Sequence, residues 1–190
     1  MLKRELLTIP NILSLSRIVF LPLLIALAWM RKDTAFLVLF IIIGSTDAFD
    51  GFVARKFNMA SDFGKAVDSF ADLFFYLGSA WFLFRLFPSY LEPNVTLLYV
   101  AIAVLLASLV VSFVRIGRPV MLHTVWLKFN AVLVYALIII SFFADTTWFV
   151  AVILISFMAA FAEAITIFIV FGDVDPDTPS ILSLMHSKTC

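Results

Sequence analysis

The chain has 190 residues, of which 64% are hydrophobic, 16% aromatic and 14% charged, and its formal net charge is zero. This composition is far more apolar than that of a soluble domain. Apolar runs of about 20 residues favour membrane-spanning helices and exclude the short alternating strands of a barrel. Zero net charge excludes an overall field that would attract nucleic acid, so no nucleic-acid partner is expected. The sole cysteine, Cys190, excludes an internal disulfide.

In chain order, the sequence predicts an all-α integral membrane protein with six transmembrane helices and a short N-terminal amphipathic surface helix. Residues 1–9 mix charged residues with leucines and form a juxtamembrane segment that can lie along the membrane. The six predicted spans cover about 12–30, 35–55, 64–87, 95–114, 125–143 and 147–171. Together they form one membrane domain over 1–171, and a polar, solvated C-terminal tail follows over 172–190.

The distribution of lysine and arginine predicts the orientation of these spans. With both termini inside, the cytoplasmic side collects Lys3, Arg4, Arg55, Lys56, Lys65, Arg115, Arg118, Lys128 and Lys188. The outer side receives Arg31, Lys32 and Arg85. Because positive charge concentrates on the cytoplasmic side, we expect a multi-pass protein of the cell (inner or plasma) membrane, with both termini and the active site in the cytoplasm.

Two pairs of aspartates stand at the junction of the second and third spans. Asp47 and Asp50 are three residues apart, and Asp68 and Asp72 are four apart, so in helices each pair lies on one face. The hairpin between the spans brings both pairs to one depth. Two like charges ~4 Å apart repel by roughly 4 kcal/mol at an effective dielectric of about 20, so the cluster needs cations. Oxygen ligands suit Mg²⁺ or Mn²⁺, two ions would cancel the four charges, and such sites clamp phosphoryl groups.

Residues between the acid pairs suit a diphosphate ligand. Gly51 and Gly64 lack side chains, which lets a ligand approach the backbone. Arg55 follows Gly51 by one helical turn and offers a planar, bidentate donor to phosphate. Anchoring of a helix end at the membrane interface is the alternative role for Arg55.

Written as D-x2-D-G-x2-A-R-x8-G-x3-D-x3-D, the run from Asp47 to Asp72 resembles the signature of the CDP-alcohol phosphotransferase family at every fixed position. The segment Pro10-Asn11-Ile12-Leu13-Ser14-Leu15-Ser16-Arg17 is similar to that family's entry into its first membrane helix. The resemblance implies transfer of a phosphatidyl group from CDP-diacylglycerol to the hydroxyl of a small polar alcohol, with release of CMP. It also implies a homodimer that contacts membrane lipids.

The same resemblance assigns roles to individual residues. It implies that two metal ions are held by Asp47, Asp50, Asp68 and Asp72, and that Asp72 also acts as general base on the acceptor hydroxyl. It implies that the cytidine diphosphate is bound near Gly51, Ala54, Arg55 and Gly64.

Other polar residues are candidates for binding the lipid phosphate or the acceptor. They are Asn11, Arg17, Lys65, Arg115, Arg118, His123 and Lys128. For Arg17, about two turns inside the first span, the alternative is snorkelling to the surface. For the basic residues after the fourth span, topology bias explains the charge almost as well as an anion site does. Glu163, deep in the sixth span, is either functional or packed in its protonated form against a helix.

The sequence gives some indication of which alcohol is the acceptor. The N-terminus resembles family members that use glycerol 3-phosphate, which is our first choice, but Ser69 stands where those members commonly carry proline. Inositol phosphate, serine and phosphatidylglycerol are the alternatives. If Arg115, Arg118 and Lys128 line the acceptor pocket, a phosphorylated alcohol is favoured. A divalent-metal transporter is the alternative from another class, although its acids would follow a path through the bilayer instead of sharing one level.

Overall fold

The computed structural model describes residues 9–56, 62–118, 120, 122, 124–175 and 178–189. Within these ranges, the side chains at 9–11, 13, 46–56, 62–70, 72–73 and 186–189 lie outside the description. The predicted juxtamembrane helix over 1–9 lies outside the described residues apart from its last position.

Every regular element among the described residues is helical, which confirms the all-α prediction. The elements are α1 (Ile9–Trp29), α2 (Asp33–Lys56), α3 (Asp62–Leu86), α4 (Pro88–Leu91), a 3₁₀ turn (Glu92–Asn94), α5 (Val95–Ile116), α6 (Val125–Ile140), α7 (Thr147–Phe171) and α8 (Ile181–Thr189). The six long helices fall at the six predicted spans.

Two helical stretches, Pro88–Ile116 and Thr147–Phe171, are long and apolar enough to cross a membrane, judged by length and composition. Elsewhere in the described part of the chain, the apolar helical stretches are shorter: Ser14–Trp29, Asp33–Ser45, Phe74–Leu86 and Val125–Ile140. Crossing by all six helices therefore stays a prediction.

The chain divides into two compact units, Met1–Pro88 and Ser89–Cys190. In the first unit α1 packs against both α2 and α3, and an aromatic cluster joins α2 to α3. Phe36 packs edge-on against Phe82 with ring centroids 4.8 Å apart, and Phe40 stacks on Phe75 at 5.2 Å. Phe36, Phe40 and Phe82 are fully buried. Because Phe36 precedes Phe40 while Phe82 follows Phe75, the two helices run antiparallel as a hairpin.

Helix α1 packs against α3 through a small residue. A Cβ placed on Gly78 would come within 2.8 Å of the Leu21 side chain, so the glycine permits close approach of the two helices. Further along, Trp29 stacks on Trp81 with centroids 6.5 Å apart. The Arg31 guanidinium donates to the Leu86 carbonyl at 3.1 Å. These contacts fix α1 parallel to α3.

The Gly78 contact predicts a graded response to side-chain size. Replacing Gly78 by alanine should have a small effect because the Leu21 methyl can move, whereas leucine should overpack the contact and destabilise the fold by about 1–3 kcal/mol. Thermal unfolding in detergent measures the difference. Ala80→Leu is the matched control, since Ala80 is exposed on the same helix. Equal shifts for the two leucine variants would contradict the proposed packing.

In the second unit, α6 is shorter than its predicted span and ends at Ile140 rather than near 143. The reason is local. The Ser141 hydroxyl donates to the Leu137 carbonyl at 2.7 Å and lies 2.6 Å from the Thr146 hydroxyl. The following turn tightens, with the Phe143 amide donating to the Ile140 carbonyl. Side-chain hydroxyls thus end the helix inside an apolar run.

The C-terminal region differs from the solvated tail that its acidic residues suggested. Residues 181–189 form α8, and Thr178 just before it is 5% exposed. Half-buried Ile181 and Leu184 pack against a buried cluster. That cluster consists of Leu122, Ala164, Ile167 and Phe168. The prediction overlooked the spacing of Ile181 and Leu184, which places two apolar side chains on one face of a helix.

Candidate active site

Asp47 and Asp50 continue the spacing of the buried residues on one face of α2. The buried residues Phe36, Phe40 and Ile43 are spaced by four and then three residues. The same alternation, continued, reaches Asp47 and Asp50, where the backbone is still helical. Since a four–three spacing keeps residues on one face of a helix, both aspartates occupy register positions of the buried face of α2, whose Phe36 and Phe40 contact α3.

Helix α3 repeats this arrangement in the opposite direction. The buried residues Phe82, Ser79 and Phe75 are spaced by three and four residues, and the alternation continues back to Asp72 and Asp68. All four aspartates therefore fall on the register of the seam between the two helices.

The antiparallel register also places Asp47 and Asp68 at one level. From the contact between Phe40 and Phe75, seven further residues along α2 lead to Asp47, and seven residues back along α3 lead to Asp68. Seven residues are two helical turns, or about 10.5 Å. Both acid pairs thus stand toward the same end of the hairpin. Asp47 and Asp68 lie two turns beyond the aromatic contact, whereas Asp72 lies about one turn from Phe75 and Asp50 about one turn beyond Asp47.

Most residues of the predicted site belong to segments of which only the helical backbone is described. These are Asn11 in α1, Asp47, Asp50, Gly51, Ala54 and Arg55 in α2, and Gly64, Lys65, Asp68 and Asp72 in α3. Among the described side chains, no group of three or more His, Cys, Asp or Glu is placed to hold a metal ion. The register of the hairpin bears on a metal site, because four carboxylate positions toward one end of it fit oxygen-liganded divalent ions.

Arg17 lies inside the first unit. Its residue is 2% exposed, which contradicts the alternative in which the side chain snorkels to the surface. Arg17 follows Ser14 by three residues on the buried face of α1. Leu21 contacts Gly78, 57 positions later, and Arg31 contacts Leu86, 55 positions later. Offsets of 55 to 57 carry Arg17 to the level of residues 72–74, so a buried cation stands near the level of Asp72.

The basic connector between α5 and α6 has partners within the second unit. Arg115 donates to the Ile169 carbonyl at 2.7 Å, and Arg118 lies 3.4 Å from the Asp173 carboxylate. Cations are favoured at the carboxyl end of a helix, here that of α7. The Arg118 pair is more than 60% exposed on both sides and therefore weak. Lys128 is exposed on α6, and His123 lies outside the described residues.

Glu163 has a partner that the sequence did not reveal. Its carboxylate accepts a hydrogen bond from the backbone N–H of Ile181 at 3.0 Å, at the first residue of α8. The Ser180 hydroxyl accepts from the Ser183 N–H at 3.4 Å, so two first-turn donors of α8 are satisfied. The signal that could have revealed α8 is the Pro179-Ser180 pair before an apolar turn, since serine is a favoured N-cap.

Comparison with known proteins gives matches in sequence. A segment of 67 residues is 39% identical to CDP-diacylglycerol--glycerol-3-phosphate 3-phosphatidyltransferase of Rickettsia typhi, covering 34% of this chain and 38% of the relative. The enzyme of the same name from Aquifex aeolicus is 39% identical over 67 residues, 35% of this chain and 38% of its own length. A cardiolipin synthase (CMP-forming) / mitochondrial hydrolase fusion protein of Schizosaccharomyces pombe is 37% identical over 71 residues, 37% of this chain and 12% of that protein.

These matches thus span well under half of each relative's length. No solved structure matches this chain significantly. The model of the CDP-alcohol phosphatidyltransferase family matches residues 7–170, a region that contains both acid pairs and the hairpin between them. Because this match extends over most of the chain, the protein belongs to the CDP-alcohol phosphatidyltransferase family.

Proposed function

We propose that this protein transfers the phosphatidyl group of CDP-diacylglycerol to the hydroxyl of glycerol 3-phosphate and releases CMP. The observation that carries the proposal is the complete motif from Asp47 to Asp72, on a hairpin whose register supports placing its two acid pairs toward one end. The relatives from Rickettsia and Aquifex, named for this reaction, support the choice of substrates.

Asp47, Asp50, Asp68 and Asp72 are the residues that we propose to hold two divalent ions, Mg²⁺ or Mn²⁺. The donor set is carboxylate oxygen alone, which suits these hard cations. When bound, the ions would neutralise the diphosphate and the charge that develops on it during displacement. The buried guanidinium of Arg17, at the level of Asp72, adds a fixed positive charge at the same depth.

Asp72 is also the proposed general base. The acceptor hydroxyl oxygen forms a bond to the phosphorus that carries the diacylglycerol, and the bond from that phosphorus to the CMP oxygen breaks. The proton of the hydroxyl passes to a carboxylate oxygen of Asp72, and CMP leaves with the electron pair of the broken bond. A positioned carboxylate within hydrogen-bond reach of the hydroxyl is what this proton transfer requires.

The donor nucleotide is assigned to residues of the same hairpin. We propose that the cytidine diphosphate lies against Gly51, Ala54, Arg55 and Gly64, where two glycines admit a close ligand and the guanidinium can pair with a phosphate. Asn11, Arg17 and Lys65 are proposed for the lipid phosphate. Arg115, Arg118, His123 and Lys128 are proposed for recognition of the acceptor's phosphate.

The membrane arrangement is part of the proposal. Helices α1–α3 and α5–α7 are the six spans, with both termini and the acidic hairpin end on the cytoplasmic side, where the nucleotide-activated donor can be reached. The domain covers 1–171 and the protein acts as a homodimer surrounded by membrane lipids. An active site at the membrane surface leaves the acyl chains of the donor and product in the bilayer.

Phosphatidylglycerol is the second candidate acceptor. The name of the fission yeast relative, a cardiolipin synthase (CMP-forming), favours keeping a lipid acceptor in the test. Ser69, where members that use glycerol 3-phosphate commonly carry proline, likewise keeps serine and inositol phosphate in the comparison.

Release of CMP by the purified protein in detergent tests the proposal. The assay contains CDP-diacylglycerol, Mg²⁺ and one acceptor at a time: glycerol 3-phosphate, phosphatidylglycerol, inositol phosphate, inositol or serine. We expect metal-dependent release with glycerol 3-phosphate and little with the others. Release with a different acceptor would correct the substrate but keep the reaction. A folded protein that releases CMP with none of them would refute the proposed function.

A further inference from the structure

We infer that the C-terminal strap, residues 172–175 and 178–189, is a positioning element for the connector between α5 and α6, and that Glu163 anchors it. The inference rests on the proposed function in one respect, because the connector carries residues proposed to recognise the acceptor's phosphate. The strap follows the region matched by the family model, which ends at residue 170.

The anchor is a hydrogen bond between elements 18 residues apart in sequence. Glu163 is the one acid in α7, and it lies eight residues, about 12 Å, before the end of that helix. Its carboxylate accepts the Ile181 N–H at 3.0 Å. A carboxylate among apolar residues needs a donor, and a helix N-terminus supplies both N–H groups and a favourable dipole. Glu163 thereby holds the start of α8 against the middle of α7.

Apolar packing surrounds this anchor. Ala164, Ile167 and Phe168 lie next to Glu163 or about one turn beyond it, and each is at most 2% exposed. Ile181 and Leu184 of α8 cover the same cluster from the other side. The Glu163 carboxylate therefore holds the first residue of α8 inside an apolar contact. Loss of this hydrogen bond should loosen α8 without unfolding α7.

The strap in turn holds the connector at three points. Asp173 pairs with Arg118 at 3.4 Å near the connector's start. Leu122, 2% exposed, belongs to the cluster that α8 covers. The Pro179 carbonyl accepts the Val125 N–H at 3.0 Å, at the first residue of α6. Within the described residues, the connector thus contacts the strap at its beginning, middle and end, and the exposed Arg118 pair is the weakest of the three contacts.

Two hydrogen bonds inside the strap fix Thr178, the residue before the Pro179 carbonyl that accepts from Val125. The Thr178 N–H and hydroxyl both donate to the Asp175 carbonyl, at 2.9 and 2.6 Å. Thr178 is 5% exposed, and it directly precedes the Pro179 carbonyl that binds α6. Glu163 binds Ile181, two residues after the Pro179 carbonyl that accepts from Val125. A shift of α8 would therefore also move Val125 and the connector.

Two variants each remove one partner of the hydrogen bond between Glu163 and Ile181. Glu163→Leu removes the acceptor, and Ile181→Pro removes the donor while proline remains acceptable at the first position of a helix. Glu163→Gln keeps an amide oxygen that can accept the same hydrogen bond and should restore wild-type behaviour. Glu92→Leu is the matched control, because Glu92 is an exposed acid at the other end of α5.

Backbone hydrogen exchange of the full-length protein in detergent is the first readout, since it does not require activity. Glu163→Leu and Ile181→Pro should speed exchange in residues 181–189 and 118–125, while Glu163→Gln and Glu92→Leu match the wild type. The double variant should add little to Ile181→Pro alone, because both changes break the same hydrogen bond and only Ile181→Pro also alters a side chain packed on the cluster. Unchanged exchange in 118–125 would overturn the coupling between strap and connector.

The second readout separates the two substrates. In the CMP-release assay, Glu163→Leu should raise KM for glycerol 3-phosphate by about fivefold to tenfold, as loss of a helix cap of about 1 kcal/mol implies. KM for CDP-diacylglycerol should stay within about twofold of its wild-type value, a difference well below that cap energy. Faster exchange with unchanged KM values would overturn the role in acceptor recognition. A wild-type protein without CMP release refutes the proposed function, whereas the exchange experiment still decides whether the strap positions the connector.

Discussion

Replacing Asp72 by asparagine should lower the rate of CMP release by a factor of at least about 10², because the variant loses the proposed proton acceptor and a metal-binding carboxylate at once. The change keeps the size of the side chain, and Asp72 lies in a helix whose aromatic core begins three residues later at Phe75. We therefore expect the fold to survive. Circular dichroism and size-exclusion chromatography in detergent check this alongside the rate.

Asp62→Asn is the matched control for this experiment. Asp62 begins the same helix and undergoes the same chemical change, but it is not a fixed position of the acidic motif. Its CMP release should stay close to that of the wild type. Activity of the Asp72 variant at the wild-type level would remove Asp72 from the chemistry, and equal loss in both variants would indicate a general structural defect.

Removal of divalent ions should abolish CMP release, and addition of Mg²⁺ or Mn²⁺ should restore it. Without cations, carboxylates gathered toward one end of the hairpin would repel each other, so ion binding should also stabilise the fold. At about 100 times its dissociation constant, one bound ion stabilises the folded state by about 2.7 kcal/mol. Thermal unfolding at increasing Mg²⁺ measures this effect, and electron paramagnetic resonance of Mn²⁺ counts the bound ions.

We expect two Mn²⁺ ions per chain in the wild type and fewer in a variant that carries both Asp47→Asn and Asp50→Asn. Asp33→Asn serves as the control, since Asp33 lies in the same helix at its opposite end. Full activity in the presence of a chelator, or an unchanged number of bound ions in the double variant, would contradict the metal site.

The sequence predicted the helices well because apolar runs and charged or proline-rich breaks determine them directly. The six predicted spans and the long helices agree to within a few residues, and α6 ends before its predicted bound where the Ser141 hydroxyl binds the Leu137 carbonyl. The motif from Asp47 to Asp72 likewise predicted the placement of two acid pairs on neighbouring helices, which the register of the Phe40 and Phe75 contact supports.

Tertiary contacts account for what the sequence did not predict. The bond from Ile181 to Glu163 joins residues 18 positions apart, and no periodicity records such a pair. The burial of Arg17 depends on how α1 packs against its neighbours, so hydropathy alone left snorkelling as an equal alternative. In both cases the sequence shows a charged residue in an apolar run, but only the fold shows what surrounds that residue or pairs with it.

The four–three seam of α2 and α3 has a consequence for how this protein can change. Leucine or phenylalanine at Asp47 or Asp68 would extend the interlocking of Phe40 and Phe75 by two turns toward the loop. Such substitutions should raise the melting temperature while eliminating turnover, because the positions that would best fasten the hairpin are the ones assigned to chemistry. Selection for stability alone would therefore remove these acidic residues, and their presence fits the proposed catalytic role at the expense of a tighter fold.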